Sequence, residues 1–272
     1  LLSLKAAADF DSLDVERLLE VAIGQKDAGL VERLCRCPAA DKISCDTAVQ
    51  LLQTPVRQHA VACIGELCGL SSAGEICSEQ VSTLLEVAVQ QQDYECLFAL
   101  LYHAREMTLE PVHLVPAMTA AVSLDAEQFL WKLCMLVSAQ QLSRICVAEL
   151  LQEAVKSGSV GCTQQLCQLP AAQQMNSTDV LELMLAAAEF GGTQCMLQLC
   201  RLPAAKRVTS SQVMMLLGVA VEAGSGGCTE LQCRLPAAAK LGTAALAQLL
   251  QAAEQQGSAG CLEQLRKLHA RV

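Results

Sequence analysis

Sixteen cysteines and four histidines are the side chains of this sequence that could ligate a metal or act as nucleophile and base. Zinc is held when four thiolates or imidazoles converge, which a sequence displays as two close pairs at a set interval. Cys35 and Cys37 form the closest thiol pair, but no second pair and no histidine follows at that interval. His59, His103, His113 and His269 stand apart, and none belongs to a His-Glu-x-x-His helix. Gly224-Ser225-Gly226-Gly227 resembles a phosphate loop only in its glycines, because it follows a predicted helix and lacks the closing Lys-Ser/Thr. Clustered acid, base and nucleophile are missing throughout. The expectation is a non-enzyme with no catalytic residue, no metal and no cofactor.

The thiols are ordered, however, and their order leads to the elements that position them. Cys162, Cys195, Cys228 and Cys261 step by 33, as do the Leu-Pro-Ala tripeptides at Leu169, Leu202 and Leu235. Carried through the chain, this register gives repeats starting at Asp11, Ser44, Cys77, Glu110, Ser143, Asn176, Thr209 and Gly242, with residues 1–10 as the tail of a preceding repeat. Within each repeat, apolar residues at positions 5, 8, 9, 12 and 13 share one helical face. Position 16 is Gly158, Gly191, Gly224 and Gly257 in the last four repeats, where a helix ends in a left-handed turn. A second apolar set at positions 20, 24, 25 and 27 predicts a second helix, which Pro170, Pro203 and Pro236 close before a loop. No segment alternates with the period of a strand.

The fold class that follows is all-α: one domain over 1–272, an elongated solenoid of about eight 33-residue helix–turn–helix repeats. Stacking at about 8–10 Å per repeat makes a curved rod on the order of 80 Å long. Both ends match the interior of a repeat, so the chain reads as a piece of a longer array, monomeric or part of a longer chain. Twelve of the sixteen cysteines occupy positions 20 and 25. Equivalent positions in adjacent repeats lie about one packing distance apart, beyond the roughly 7 Å Cα limit of a disulfide. These thiols are expected to stay reduced as small core hydrophobes, in the cytoplasm or another reducing intracellular compartment.

The repeat length and inner motif resemble the ankyrin repeat. Leu151, Ala154, Val155 and Gly158 follow that family's Leu-x-x-Ala-Ala-x-x-Gly core, and Cys162 and Leu166 stand where its second helix places Val and Leu. The Thr-Pro-Leu-His tetrapeptide is absent; Glu149-Leu150-Leu151-Gln152 takes its place, which predicts a longer first helix. Pro170 replaces the family's closing glycine, and Ala171 to Ser177 replaces its hairpin-forming stretch. The resemblance implies a non-catalytic scaffold that binds other proteins.

Composition narrows the partners. A chain of 272 residues that is 53% hydrophobic and 17% charged is too apolar for disorder. Its apolar runs, such as Val213 to Val221, stop far short of the ~20 residues of a membrane span. A formal charge of −9 and pI near 5.0 argue against nucleic acid. An RNA-binding helical array, the first alternative, needs a basic stripe, and the nineteen Lys and Arg residues are scattered. The second alternative is the regulatory repeat region of a larger enzyme.

Residues that break the pattern are the candidates for protein binding. Position 22 is Glu32, Gly65, Gln164, Glu230 and Glu263 in five repeats but Phe98 and Trp131 in the third and fourth. Tyr94, Phe98 and Tyr102, spaced by four, predict an outer aromatic stripe. With Trp131, and with Arg105, Lys132 and Glu127 as a charged rim, they form the expected partner-binding patch. Positions 7, 10 and 14 of the first helices, variable and polar, are the second candidate surface.

Overall fold

The computed structural model describes residues 10–104 and 109–271; the expected tail before residue 10 and the rim residue Arg105 lie outside them. The described elements are helical, with no strand among the described residues. They fall into two compact units, Leu1–Phe129 and Leu130–Val272. The first contains α1 (Ser12–Gly24), α2 (Ala28–Cys35), α3 (Cys45–Arg57), α4 (Val61–Cys68), α5 (Ser78–Gln90), α6 (Tyr94–Ala104) and α7 (Pro111–Ser123). Helix α8 (Glu127–Cys134) includes the boundary. The second unit continues with α9 (Val137–Gln140), α10 (Arg144–Lys156), α11 (Val160–Cys167), α12 (Pro170–Gln173), α13 (Ser177–Glu189), α14 (Thr193–Cys200), α15 (Ser210–Glu222), α16 (Gly226–Gln232), α17 (Thr243–Gln255) and α18 (Ala259–His269).

Each of the eight repeat-start residues is the N-cap of a 13-residue helix. The caps that bond use the oxygen their side chains offer: Asp11 Oδ1 accepts from the Asp14 amide at 2.8 Å, and Asn176 Oδ1 from Asp179 at 2.8 Å. All eight helices also end alike. Position 16 has positive φ in every repeat, at Lys26, His59, Gln92 and Asp125 as well as at the four glycines. The amide of position 17 then reaches the position-12 carbonyl, as in Asp93 to Ala88 and Ser159 to Ala154. This six-to-one bond satisfies an otherwise orphaned helix carbonyl and aims the chain back along the first helix.

Within each unit, like packs on like. In the first, α1 meets α3, α3 meets α5 and α5 meets α7, while α2 meets α4 and α4 meets α6. In the second, α10, α13, α15 and α17 form one row, and α11, α14, α16 and α18 the other. Val147, Leu151 and Ala154 at positions 5, 9 and 12 are wholly buried, as are their counterparts Val213, Leu217 and Ala220. The position-20 thiols lie in the seams between second helices, where Thr163 Oγ1 donates to Cys195 Sγ at 3.5 Å and Thr229 Oγ1 to Cys261 Sγ at 3.3 Å. Helices approach closely there: a Cβ on Gly227 would stand 2.6 Å from Thr193 Oγ1. All sixteen cysteines are described, and none is in a disulfide.

One expectation changes. The segment after the second helix is not an open loop but a short helical turn, at Ala40–Lys42, Ser71–Glu75, α9, α12, Pro203–Arg207 and Ala238–Lys240. Pro170 and Pro203 open these turns as well as ending the helix before them, because a fixed φ and a missing N–H suit a first helical position. The turn also feeds back: Gln173 Nε2 donates to the Cys167 carbonyl at 2.7 Å, and Gln140 Nε2 to that of Cys134 at 2.6 Å.

Candidate functional site

The thiols are placed for packing. A nucleophilic or metal-binding cysteine must reach the thiolate form. Burial pushes Cys68, Cys134 and Cys167 up to about 12 and Cys200 to about 11. Cys35 rises to about 12 through burial and the nearby Glu66 carboxylate. These thiols are neutral at physiological pH. Among the described residues, no group of three or more His, Cys, Asp and Glu is arranged around a metal position.

One polar cluster is not evident from local spacing. His59 Nδ1 lies 2.6 Å from Asp93 Oδ2, across the seam between the second and third repeats. Asp93 is 9% exposed, and its other oxygen accepts the Cys96 amide at 2.9 Å, capping α6. Burial alone would raise the Asp93 carboxyl, but hydrogen bonds from the Cys96 thiol and amide and from His59 outweigh it and hold it below the usual carboxylate range. The carboxylate stands between imidazole and thiol, whereas nucleophile activation needs the base on the thiol. Cys96 is fully buried, and burial followed by Asp93 pushes its pKa upward. The cluster joins two repeats. Its only sequence signal was register: position 16 of one repeat faces position 17 of the next.

The predicted aromatic residues divide. In the first unit, Phe98 is 53% and Tyr102 63% exposed, one turn apart on α6. Tyr94 departs from the expected stripe: it is half-buried, its ring 5.7 Å from Phe129 at an interplanar angle of 86°. Phe129 occupies position 20, which is cysteine in six other repeats, and the larger ring reaches back to make this edge-to-face contact. In the second unit, Trp131 is 42% exposed, with Lys132 Nζ 4.7 Å from its ring centroid.

The second candidate surface is grooved. Between α5 and α7 runs a groove of about 590 Å³, lined by Glu86, Gln90, Val115, Pro116, Thr119, Ala120, Ser123 and Leu124. In the second unit a groove of about 230 Å³ between α10 and α13 is crossed by the Arg144–Asp179 ion pair at 3.2 Å. The units also differ in charge. Residues 1–129 hold nineteen Asp and Glu against eight Lys and Arg, a formal −11, whereas residues 130–272 hold nine against eleven, a formal +2.

Among the described residues, no helix is long and apolar enough to cross a membrane. No protein-family model matches the chain, and no curated protein matches it.

Proposed function

We propose that this chain is a non-catalytic protein-interaction scaffold, an elongated solenoid of eight ankyrin-like 33-residue hairpins acting in a reducing compartment. The observation that carries the reading is the pair of exposed rings on α6. Phe98 stands at a position where other repeats present Glu32, Gln164 and Glu263, and Tyr102 extends the apolar strip by one turn. Exposed aromatic side chains on a rigid helix are the commonest anchors of protein interfaces, and they gain most from being covered. Thiols such as Cys68 and Cys167, kept neutral by burial, serve the packing of the repeats. The −11 charge of the first unit speaks against the RNA-binding alternative.

A photo-crosslinking residue at Tyr102 tests this in cells of origin. The expected result is one dominant protein adduct, reduced at least about tenfold when Phe98→Ala is added. Diffuse labelling unaffected by Phe98→Ala would contradict the reading. The elongated form is tested by small-angle scattering. A rod on the order of 80 Å gives a radius of gyration of about 25 Å, against about 18–19 Å for a compact globule of this length.

A further inference from the structure

We infer that the groove between α5 and α7 is a docking site for a basic peptide segment carrying apolar anchor residues. The inference extends the scaffold reading by giving the first unit a second, chemically defined surface. Both walls point to the same occupant. The α7 wall is uncharged and largely apolar: Val115, Pro116, Ala120 and Leu124 line it, Leu124 being 39% exposed, and Val112, 58% exposed, stands one turn before Pro116. The hydroxyls on this wall are turned to their own helix, Thr119 Oγ1 donating to the Val115 carbonyl at 2.9 Å and Ser123 Oγ to that of Thr119 at 3.0 Å. Pro116, inside α7, has no N–H to give the Val112 carbonyl one turn before it.

The α5 wall carries Glu86, whose Oε1 accepts from Gln90 Nε2 at 2.9 Å, and Glu79 lies two turns earlier on the same face of α5, beyond the lining of the groove. No Lys or Arg occurs in α5, α6 or α7, and between residues 58 and 131 the sequence holds ten Asp and Glu against one Arg, Arg105, no Lys, and the three histidines His59, His103 and His113. A groove that offers a carboxylate and apolar surface, with no Lys or Arg in its lining and an acidic stretch of chain around it, complements Lys or Arg side chains interspersed with aliphatic anchors. An acidic or nucleic-acid ligand meets repulsion from Glu86 on the α5 side.

Fluorescence anisotropy on the intact chain tests this with a labelled peptide of roughly twelve residues alternating Leu and Lys, and with its Leu/Glu counterpart. The expected result is micromolar binding of the Leu/Lys peptide only, about tenfold weaker with Thr119→Lys and several-fold weaker with Glu79→Gln/Glu86→Gln. Both variants change exposed or half-exposed side chains, and circular dichroism melts confirm that each is folded. Phe98→Ala should leave this binding unchanged, which separates the groove from the aromatic strip. Any of three outcomes overturns the inference: no binding of Leu/Lys peptide at about 100 μM, equal binding of the Leu/Glu peptide, or unaltered binding by both groove variants. Self-association abolished by Thr119→Lys also overturns it, because the occupant would then be a second copy of this chain.

Discussion

At the scale of single residues, the left-handed position shows both the reach and the limit of sequence reading. Four glycines announced it in the last four repeats; His59 and Asp125, types that tolerate the left-handed region, signal it only weakly, and Lys26 and Gln92 adopt the same conformation with nothing in their side chains to announce it. Tertiary packing imposes the turn and absorbs its cost there. Gln92→Gly should therefore stabilise by about 0.5–1 kcal/mol, and Gly158→Ala, whose Cβ meets nothing within 4 Å, should destabilise by about 1 kcal/mol through backbone strain alone. Urea melts of the two variants, shifted in opposite directions, check this. Gln232 is the opposite case. It takes the place of leucines such as Leu166 and Leu199, is fully buried, and neither amide atom has a hydrogen-bond partner. The neighbouring Leu231 fills a position that is Gln165 or Gln198 elsewhere, so the two residue types have exchanged places. Gln232→Leu should raise stability by about 1–3 kcal/mol in the same measurement. An unchanged midpoint would mean that the amide is satisfied in solution.

At the scale of elements, helix starts were legible because Asp, Ser, Asn and Thr caps recur at a fixed interval. Second helices were legible from the Cys and Leu spacing. The short turns after them were not, since Leu-Pro reads equally as a helix end and as a helix start. The His59–Asp93 link was out of reach for a different reason: its partners are 34 residues apart and meet only when hairpins stack. Asp93 makes α6 dependent on pH. Its carboxyl is depressed in the folded state, so its contribution is complete above the unfolded carboxylate pKa of about 4 and disappears as pH falls through the lower folded value. Asp93→Ala should cost about 1–2 kcal/mol near neutrality, and the gap from wild type should close on acidification toward pH ~2. A gap of constant size at all pH values would show that packing, not the cap, is responsible. In the second unit, Leu151→Ala should cost roughly 2–5 kcal/mol, read by chemical denaturation, because it empties a wholly buried site between α10 and its neighbours. No loss would contradict the assigned core face.

At the scale of the whole molecule, the sequence reading and the fold meet in the thiols. The 33-residue rhythm of cysteines led to the expectation of reduced thiols packed as small core hydrophobes, and the buried seams are where the structure places the position-20 set. The position-20 set, Cys63, Cys96, Cys162, Cys195, Cys228 and Cys261, is at most 1% exposed, and Cys77 alone is classed as exposed. What the sequence left open is the partner surface: Tyr94 was grouped with Phe98 and Tyr102 by spacing, yet Phe129 on the next repeat draws it inward. Spacing along one helix cannot report what the adjacent helix offers. The most direct test of the repeat account is native-state alkylation of the intact chain with residue-level mass spectrometry. The account predicts immediate modification of Cys77, with the six position-20 thiols protected until their hairpins unfold. Alkylation of those six at the rate of Cys77, or their recovery as disulfides, would contradict it.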